Sequence, residues 1–256
     1  MAPLQGIGVL VTRPEQQAAL LCKLLESRGA VTLRLPAIEI QPLPVSRARI
    51  GSLDAFDIVL FTSANAVRHG ISALEVRRGM TLAAIGPATA RALNERGCEV
   101  TLQPEGGYTS EALLAHPSLG NLTGRRILLI KGADGRRLLD AELTRRGANV
   151  VAVDVYQRAA ASPSAADLAA VLTEFVADRL QVITATSLDI GRRLLHMVPE
   201  ALQAHFRRAY WLVPGERVAA GLRGLGLDAP MLIAASAEDQ DLVAALERWR
   251  SIESKA

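Results

Sequence analysis

The feature that most constrains this chain is a repeat of one structural unit. Arg28-Gly29-Ala30 recurs as Arg146-Gly147-Ala148, an offset of 118 residues from Gly29 to Gly147. In the first copy an apolar run at 8–12 is followed by a helical stretch that opens at Pro14 and Glu15. Leu20, Leu21, Leu24 and Leu25 are its predicted apolar face. In the second copy the apolar run is 126–130, a turn follows at 131–135, and the helical stretch is 138–146. A glycine just past the last helical residue is the usual helix exit. A second β-type run comes next, at 31–36 and at 149–155. Short, continuous apolar runs suit strands buried on both faces of a parallel sheet, so each copy reads as β-α-β.

A second pair of units repeats in the same way. Residues 57–67 recur as 180–188, and 82–93 recur as 210–218, with Pro87 and Pro214 offset by 127 residues. Their helices are predicted to exit at Arg96-Gly97 and Arg223-Gly224, and each half closes with a strand and a helix, at 109–114 and 238–246. Four short strand-helix units per half predict an α/β class with doubly wound, parallel sheets in two like-folded lobes. At 256 residues, half of them hydrophobic, the chain has material for two real cores.

Charge and composition exclude several classes of function. A net charge of +3 without a Lys/Arg block gives no nucleic-acid stripe, while it suits a small anionic ligand. No apolar run approaches the roughly 20 residues that span a bilayer. Two cysteines, Cys22 and Cys98, predict reduced thiols, and the N-terminus lacks signal-peptide character; a cytoplasmic protein without membrane partners is expected. The four histidines have no metal-ligand spacing with one another or with the cysteines. Walker A, dinucleotide-fingerprint and Gly-x-Ser-x-Gly patterns do not occur.

In open α/β sheets ligands sit at the carboxyl ends of strands, so the strand-to-helix turns carry the candidate chemistry. These turns hold Thr12-Arg13-Pro14, Thr62-Ser63-Ala64-Asn65, Gly86-Pro87-Ala88-Thr89, Lys131-Gly132-Ala133, Thr184-Ala185-Thr186-Ser187 and Val213-Pro214-Gly215. Small residues there let backbone N–H groups approach a carboxylate or phosphate, although helix capping alone also explains the Ser and Thr. Tyr156 stands apart. It lies in the β-type run 151–158, and the 118-residue offset places it opposite Ile38, so only one copy of the repeat carries a phenol.

Taken in order, six segments resemble the uroporphyrinogen-III synthase family. They are Val-Thr-Arg-Pro at 11–14, Leu-Pro-Ala-Ile-Glu-Ile at 35–40 and Phe-Thr-Ser-Ala-Asn-Ala-Val at 61–67. Ala-Ile-Gly-Pro-Ala-Thr-Ala at 84–90, Val-Tyr-Gln-Arg at 155–158 and Val-Pro-Gly at 213–215 complete the set. Order and spacing, rather than any single motif, carry the resemblance. It implies two flavodoxin-like parallel-sheet lobes joined by a two-stranded β linker. One lobe would be discontinuous, 1–36 with 162–256, the other would span 44–151, and the linkers would be 37–43 and 152–161.

The resemblance also implies a hydro-lyase of heme biosynthesis. It would cyclise the linear tetrapyrrole hydroxymethylbilane to uroporphyrinogen III, with loss of water and inversion of ring D through a spirocyclic intermediate. No cofactor or metal would be used, the substrate would be a small-molecule polycarboxylate, and the protein is expected to act as a monomer. By position, Tyr156 matches the tyrosine that assists departure of the hydroxyl. Thr62, Ser63, Gly86, Pro87, Ala88 and Thr89 match substrate-binding turns of the continuous lobe. Pro214 and Gly215 match the turn of the other lobe, and Gly132 and Thr184 belong to turns of the same kind. Arg13 and Lys131 are candidate carboxylate partners by turn position and charge. Two departures stand out. Thr184-Ala185-Thr186, set against Thr62-Ser63-Ala64, lacks one hydroxyl, and Glu216 brings an anion to a polyanion's site. The competing reading is a non-catalytic two-lobe protein that binds a small anionic ligand. A flavodoxin-like nucleotide or flavin binder is a third.

Overall fold

The computed structural model describes residues 2–46, 50–76, 79–135 and 137–253. Along the chain the strands are β1 (Gly8–Val11), β2 (Val31–Arg34), β3 (Ile38–Pro42), β4 (Ile58–Phe61) and β5 (Thr81–Ala84). They continue as β6 (Arg126–Gly132), β7 (Asn149–Ala160), β8 (Val182–Thr184), β9 (Tyr210–Pro214) and β10 (Met231–Ala234). The helices are α1 (Glu15–Ser27), α2 (Ala64–Gly70), α3 (Pro87–Asn94), α4 (Ser110–Leu114) and α5 (Leu138–Arg145). After them come α6 (Ala165–Val176), α7 (Leu188–Met197), α8 (Glu200–Arg208), α9 (Glu216–Gly224) and α10 (Asp239–Glu253).

Contacts divide the chain into two compact units, 1–39 with 159–256, and 40–158. The first holds a parallel sheet in the order β10-β9-β8-β1-β2. Read from β2, that is the 2-1-3-4-5 order of flavodoxin-like sheets. The other sheet has the order β3-β7-β6-β4-β5, and a parallel bridge pairs Leu102 with Ala83 of β5. From β7 through β6, β4 and β5 to Leu102 the same 2-1-3-4-5 order appears, with the chain entering at the third position. The sequence halves are therefore not the units: each sheet takes two strands from one half and the rest from the other.

Local chemistry explains the elements. Central β1 and β4 are buried at every residue, whereas edge strand β2 has Val31 and Arg34 exposed. On α1 the buried residues are Ala18, Leu21, Cys22 and Leu25, the i, i+3, i+4, i+7 spacing of one face. Leu20, predicted on that face, is 57 % exposed, and Leu24 packs only at the margin of the core. Four helices end alike, at Gly29, Gly97, Gly147 and Gly226. In each, the glycine N–H reaches the carbonyl three residues back and the next N–H the carbonyl five back. These are Schellman exits, and all four glycines have positive φ. The predicted exit at Gly224 falls two residues early, because α9 runs through Gly224.

The two copies differ where the second strand ends. Pro36 has no N–H to give, and the chain breaks between β2 and β3 there. Its repeat equivalent is Asp154, and β7 runs unbroken for 12 residues. A strand at 149–155 and a separate linker were predicted; they are one strand. Leu43 donates to Val155 O and Ala161 to Ala37 O, so β3 and β7 run antiparallel. The closing units also differ: one has a full strand β10, the other only the Leu102 bridge.

Candidate active site

The chemistry-bearing side chains of the 40–158 unit gather at the ends of β4, β6 and β7. β6 extends to Gly132, so Lys131 and Gly132 are strand residues rather than the predicted turn. The pairing Lys131 with Asp154 is followed by Gly132 with Tyr156, a bulge that leaves Val155 over on β7. Such a bulge re-aims the side chain beside it. The Tyr156 phenol crosses Gly132, where an added Cβ would stand 2.6 Å from Cζ. Its hydroxyl then lies 3.0 Å from Ser63 Oγ, just past the end of β4. Tyr156 is 5 % exposed, so it is no solvated strand tyrosine.

Ser63 is the N-cap of α2 and accepts the Ala66 N–H at 3.1 Å. Helix α2 lies close on the sheet because Gly70 has no side chain: a Cβ there would meet Ile130 Cγ2 at 2.7 Å. The same helix sets the His69 ring 6.1 Å from that of Tyr156. Burial, and to a lesser degree the Arg68 charge, pushes the His69 pKa down, and its buried Nε2 has no partner among the described residues. The turn at Gly86 caps α3 with Pro87 at its first position; Ala88 is exposed, while Thr89 is buried. Lys131 is buried and its Nζ lies 2.8 Å from Asp154.

In the other unit the turns follow β1, β8 and β9. Arg13 is buried and its guanidinium is held by Asp239 and by the Ala237 carbonyl, 3.1 Å away. Thr184 is fully buried; its hydroxyl accepts the Thr12 N–H at 3.2 Å, and its carbonyl accepts the Thr12 hydroxyl. Ser187 caps α7 as Ser63 caps α2, with φ −157 and −161 and the same bond to the N–H three residues on. Gly215 caps α9 at φ 78, ψ 160. Glu216 gives its charge to Arg223 at 2.6 Å. Among the described residues, no three His, Cys, Asp or Glu side chains lie close enough to share a metal ion.

Comparison with known proteins decides the family. Residues 20–244 match the family model described as uroporphyrinogen-III synthase HemD. The uroporphyrinogen-III synthase of Escherichia coli is 31 % identical over 250 residues, covering 94 % of this chain and all of that enzyme. The chain belongs to the uroporphyrinogen-III synthase family. The Salmonella typhimurium member is 32 % identical over the same share of both chains. Two solved structures share the fold. Helicobacter pylori uroporphyrinogen-III synthetase has TM-score 0.63 at 15 % identity, covering 95 % of this chain and 99 % of that one. A mutant Thermus thermophilus uroporphyrinogen III synthase has TM-score 0.58 at 21 %, covering 98 % and 100 %.

Within this uroporphyrinogen-III synthase family member the sequence-predicted residues fall into three groups. Tyr156, Ser63 and Gly132 come together, and Thr62 adjoins them with its N–H on the Ile130 carbonyl. Gly86, Pro87 and Ala88 form one accessible turn, and Pro214 and Gly215 another. Thr184, Thr89, Arg13 and Lys131 are buried. The structure reassigns Thr184 as a strut between β1 and β8. The matched caps correct the pairing of the repeats: Thr186-Ser187, not Thr184-Ala185, is the counterpart of Thr62-Ser63, so no hydroxyl is missing. Sequence reasoning overlooked Ser187 in that role, and the distance from Ser63 to its own helix was the signal that could have found it.

Proposed function

We propose that this protein is a uroporphyrinogen-III synthase that closes hydroxymethylbilane to uroporphyrinogen III with inversion of ring D, and that Tyr156 is its acid. The observation that carries the reading is the Tyr156–Ser63 pair at 3.0 Å. One Ser63 lone pair is occupied by the Ala66 N–H, and its own proton is free to point at the phenol oxygen. With Ser63 as donor, the phenol O–H is released toward a ligand.

In the first step the C–O bond of the hydroxymethyl group breaks. Its electron pair leaves with oxygen, which takes the Tyr156 proton to become water. The pyrrole nitrogen supplies electrons to form a cationic azafulvene, and Ser63 donates to the phenolate left behind. The substituted carbon of ring D then attacks the azafulvene carbon to give the spirocycle. Rearrangement to the macrocycle releases one ring proton, which restores the phenol. Pyrrole nitrogen makes hydroxide loss easy, so the protein's task is largely positioning, which supplies several kcal/mol. No redox or group-transfer partner is needed to balance these steps.

Arg13 and Lys131 are better read as paired struts than as substrate partners, since Asp239 and Asp154 hold their charges. The turns at Thr62, Gly86–Ala88 and Pro214–Gly215 remain the proposed places for substrate carboxylates, and a monomer without cofactor remains the proposed state. The non-catalytic alternative is not favoured, given a catalytic relative matched along its full length. The deciding experiment incubates the protein with freshly generated hydroxymethylbilane and separates the isomers. Isomer III at a rate above the uncatalysed closure is expected; isomer I alone would overturn the reading.

A further inference from the structure

The 40–158 unit has a further connection at its strand ends, outside the turns that hold the candidate residues. Leu102 lies parallel beside Ala83 of β5; its N–H donates to Leu82 O, and its carbonyl accepts from Ala84 N. The chain therefore leaves Leu102 at the carboxyl end of the sheet, beside the turn at Gly86. Residues 103–109 lead from there to α4, and Thr109 closes the connection by accepting the Ala112 N–H at 3.1 Å. Gly107 turns the chain at φ 76, and Tyr108 follows it.

Tyr108 differs from the other two tyrosines. Tyr156 is buried against Gly132, while Tyr210 sets its ring 4.7 Å from that of Trp249 and gives its hydroxyl to Glu253. Tyr108 is 68 % exposed; among the described residues it enters no ring pair, and its hydroxyl makes no hydrogen bond. A Cβ added at Gly86 would lie 3.7 Å from the Tyr108 Cβ, with nothing else within 4 Å. The side chain thus starts at the edge of a turn built from Gly86, half-buried Pro87 and exposed Ala88. An aromatic face left in water beside so open a turn is suited to stack on another flat ring, offset or edge-on.

Distance along the sheet selects which ring that is. Adjacent strands lie about 4.8 Å apart, so the connection after Leu102 stands two spacings, roughly 10 Å, from the turn that holds Ser63. On the synthase reading, the two ends of the linear substrate, the hydroxymethyl-bearing pyrrole and ring D, meet at Tyr156 and Ser63. A residue two strand spacings away meets a middle pyrrole instead. We propose that Tyr108 is a substrate-stacking residue whose ring lies against a middle pyrrole of hydroxymethylbilane. The assignment rests on the synthase reading for its ligand. Loss of water and the attack that forms the spirocycle occur at the two end rings, so the stacked ring is held equally before and during those steps. Binding of that uniform kind lowers KM and leaves kcat alone.

The test measures KM and kcat for isomer III formation and, separately, binding of uroporphyrinogen III kept reduced, by calorimetric titration. Tyr108→Ala is expected to raise KM and weaken product binding about five-fold, the scale of one lost aromatic contact, with kcat within about two-fold of the parent. Tyr108→Phe keeps the ring and should match the parent in both measurements, which a role for the hydroxyl would not allow. Val176→Ala trims a side chain of the same 68 % exposure on α6, and should match the parent too. Tyr108 is exposed, so melting temperatures should agree across the set. Parent-like KM and product binding in Tyr108→Ala would overturn the assignment, as would losses in Tyr108→Phe equal to those in Tyr108→Ala. If the parent protein makes only isomer I, the synthase reading fails, and the titrations still decide whether Tyr108 holds a tetrapyrrole.

Discussion

The Tyr156 hydroxyl meets Ser63 Oγ at 3.0 Å by passing over strand β6 at Gly132. Three neighbouring strands therefore share one arrangement: β7 supplies the phenol, β6 the gap, and the turn after β4 the hydroxyl that holds it. In Tyr156→Phe turnover should fall by about a hundred-fold or more, the lower range for a lost general acid, with stability changed by about 1 kcal/mol. Because Ser63 acts through the phenol, the double variant Tyr156→Phe/Ser63→Ala should be no slower than Tyr156→Phe. Isomer-resolved rates measure this, and multiplicative losses in the double variant would show that Ser63 has a separate role.

Gly132→Ala places a methyl group where the phenol ring lies, 2.6 Å from Cζ. The ring must leave its position, so turnover should drop nearly as far as in Tyr156→Phe. Overpacking of this kind costs about 1–3 kcal/mol, which urea unfolding would resolve. Gly106→Ala serves as the comparison, since nothing lies within 4 Å of a Cβ there. Equal stability losses at the two positions would rule out the ring clash.

Gly215 makes the opposite case, with open space around it but φ 78 and ψ 160, a region essentially closed to L side chains. Gly215→Ala should cost about 1–3 kcal/mol in backbone strain alone. It should also shift the Pro214–Gly215 turn at the start of α9, one of the proposed places for substrate carboxylates, so KM should rise with it. A melting temperature equal to that of the parent would mean the turn relaxes without strain.

His69 predicts a pH dependence of stability. Its folded-state pKa lies below the ordinary 6.5, with desolvation the larger cause and the Arg68 charge the smaller. The unfolded chain therefore binds this proton first, and stability falls as pH drops below about 6.5, levelling off once pH is under the folded value. Thermal melts between pH 8 and 5 should show a shallower loss in His69→Gln than in the parent. Parallel curves would put the buried Nε2 outside the titration.

Much of the fold was legible in short stretches. Gly29 and Gly147 marked two helix exits because positive φ favours a residue without Cβ, and the structure places both in Schellman turns. The all-apolar runs at β1 and β4 identified central strands. Leu20 was misread because four leucines in six positions of α1 fit more than one face, and only packing selects Ala18, Leu21, Cys22 and Leu25. Thr184 was misread for a related reason. A threonine at a strand end looks the same in sequence whether its hydroxyl meets solvent or the neighbouring Thr12.

Returning to Tyr156, the sequence by itself determined that the phenol occurs in one copy of the repeat only, at the end of a β-type run, and in one of the six segments whose order carries the family resemblance. That follows from local pattern and chain order. Tertiary structure alone decided that β7 lies beside β6, that a bulge aims the ring over Gly132, and that Ser63, 93 positions away, meets the hydroxyl at 3.0 Å. Strand adjacency depends on long-range hydrogen bonds and packing, and no local propensity encodes those. For the same reason the repeat halves could be counted from local pattern, while their exchange between two sheets was implied only by the family resemblance and is seen in the strand order.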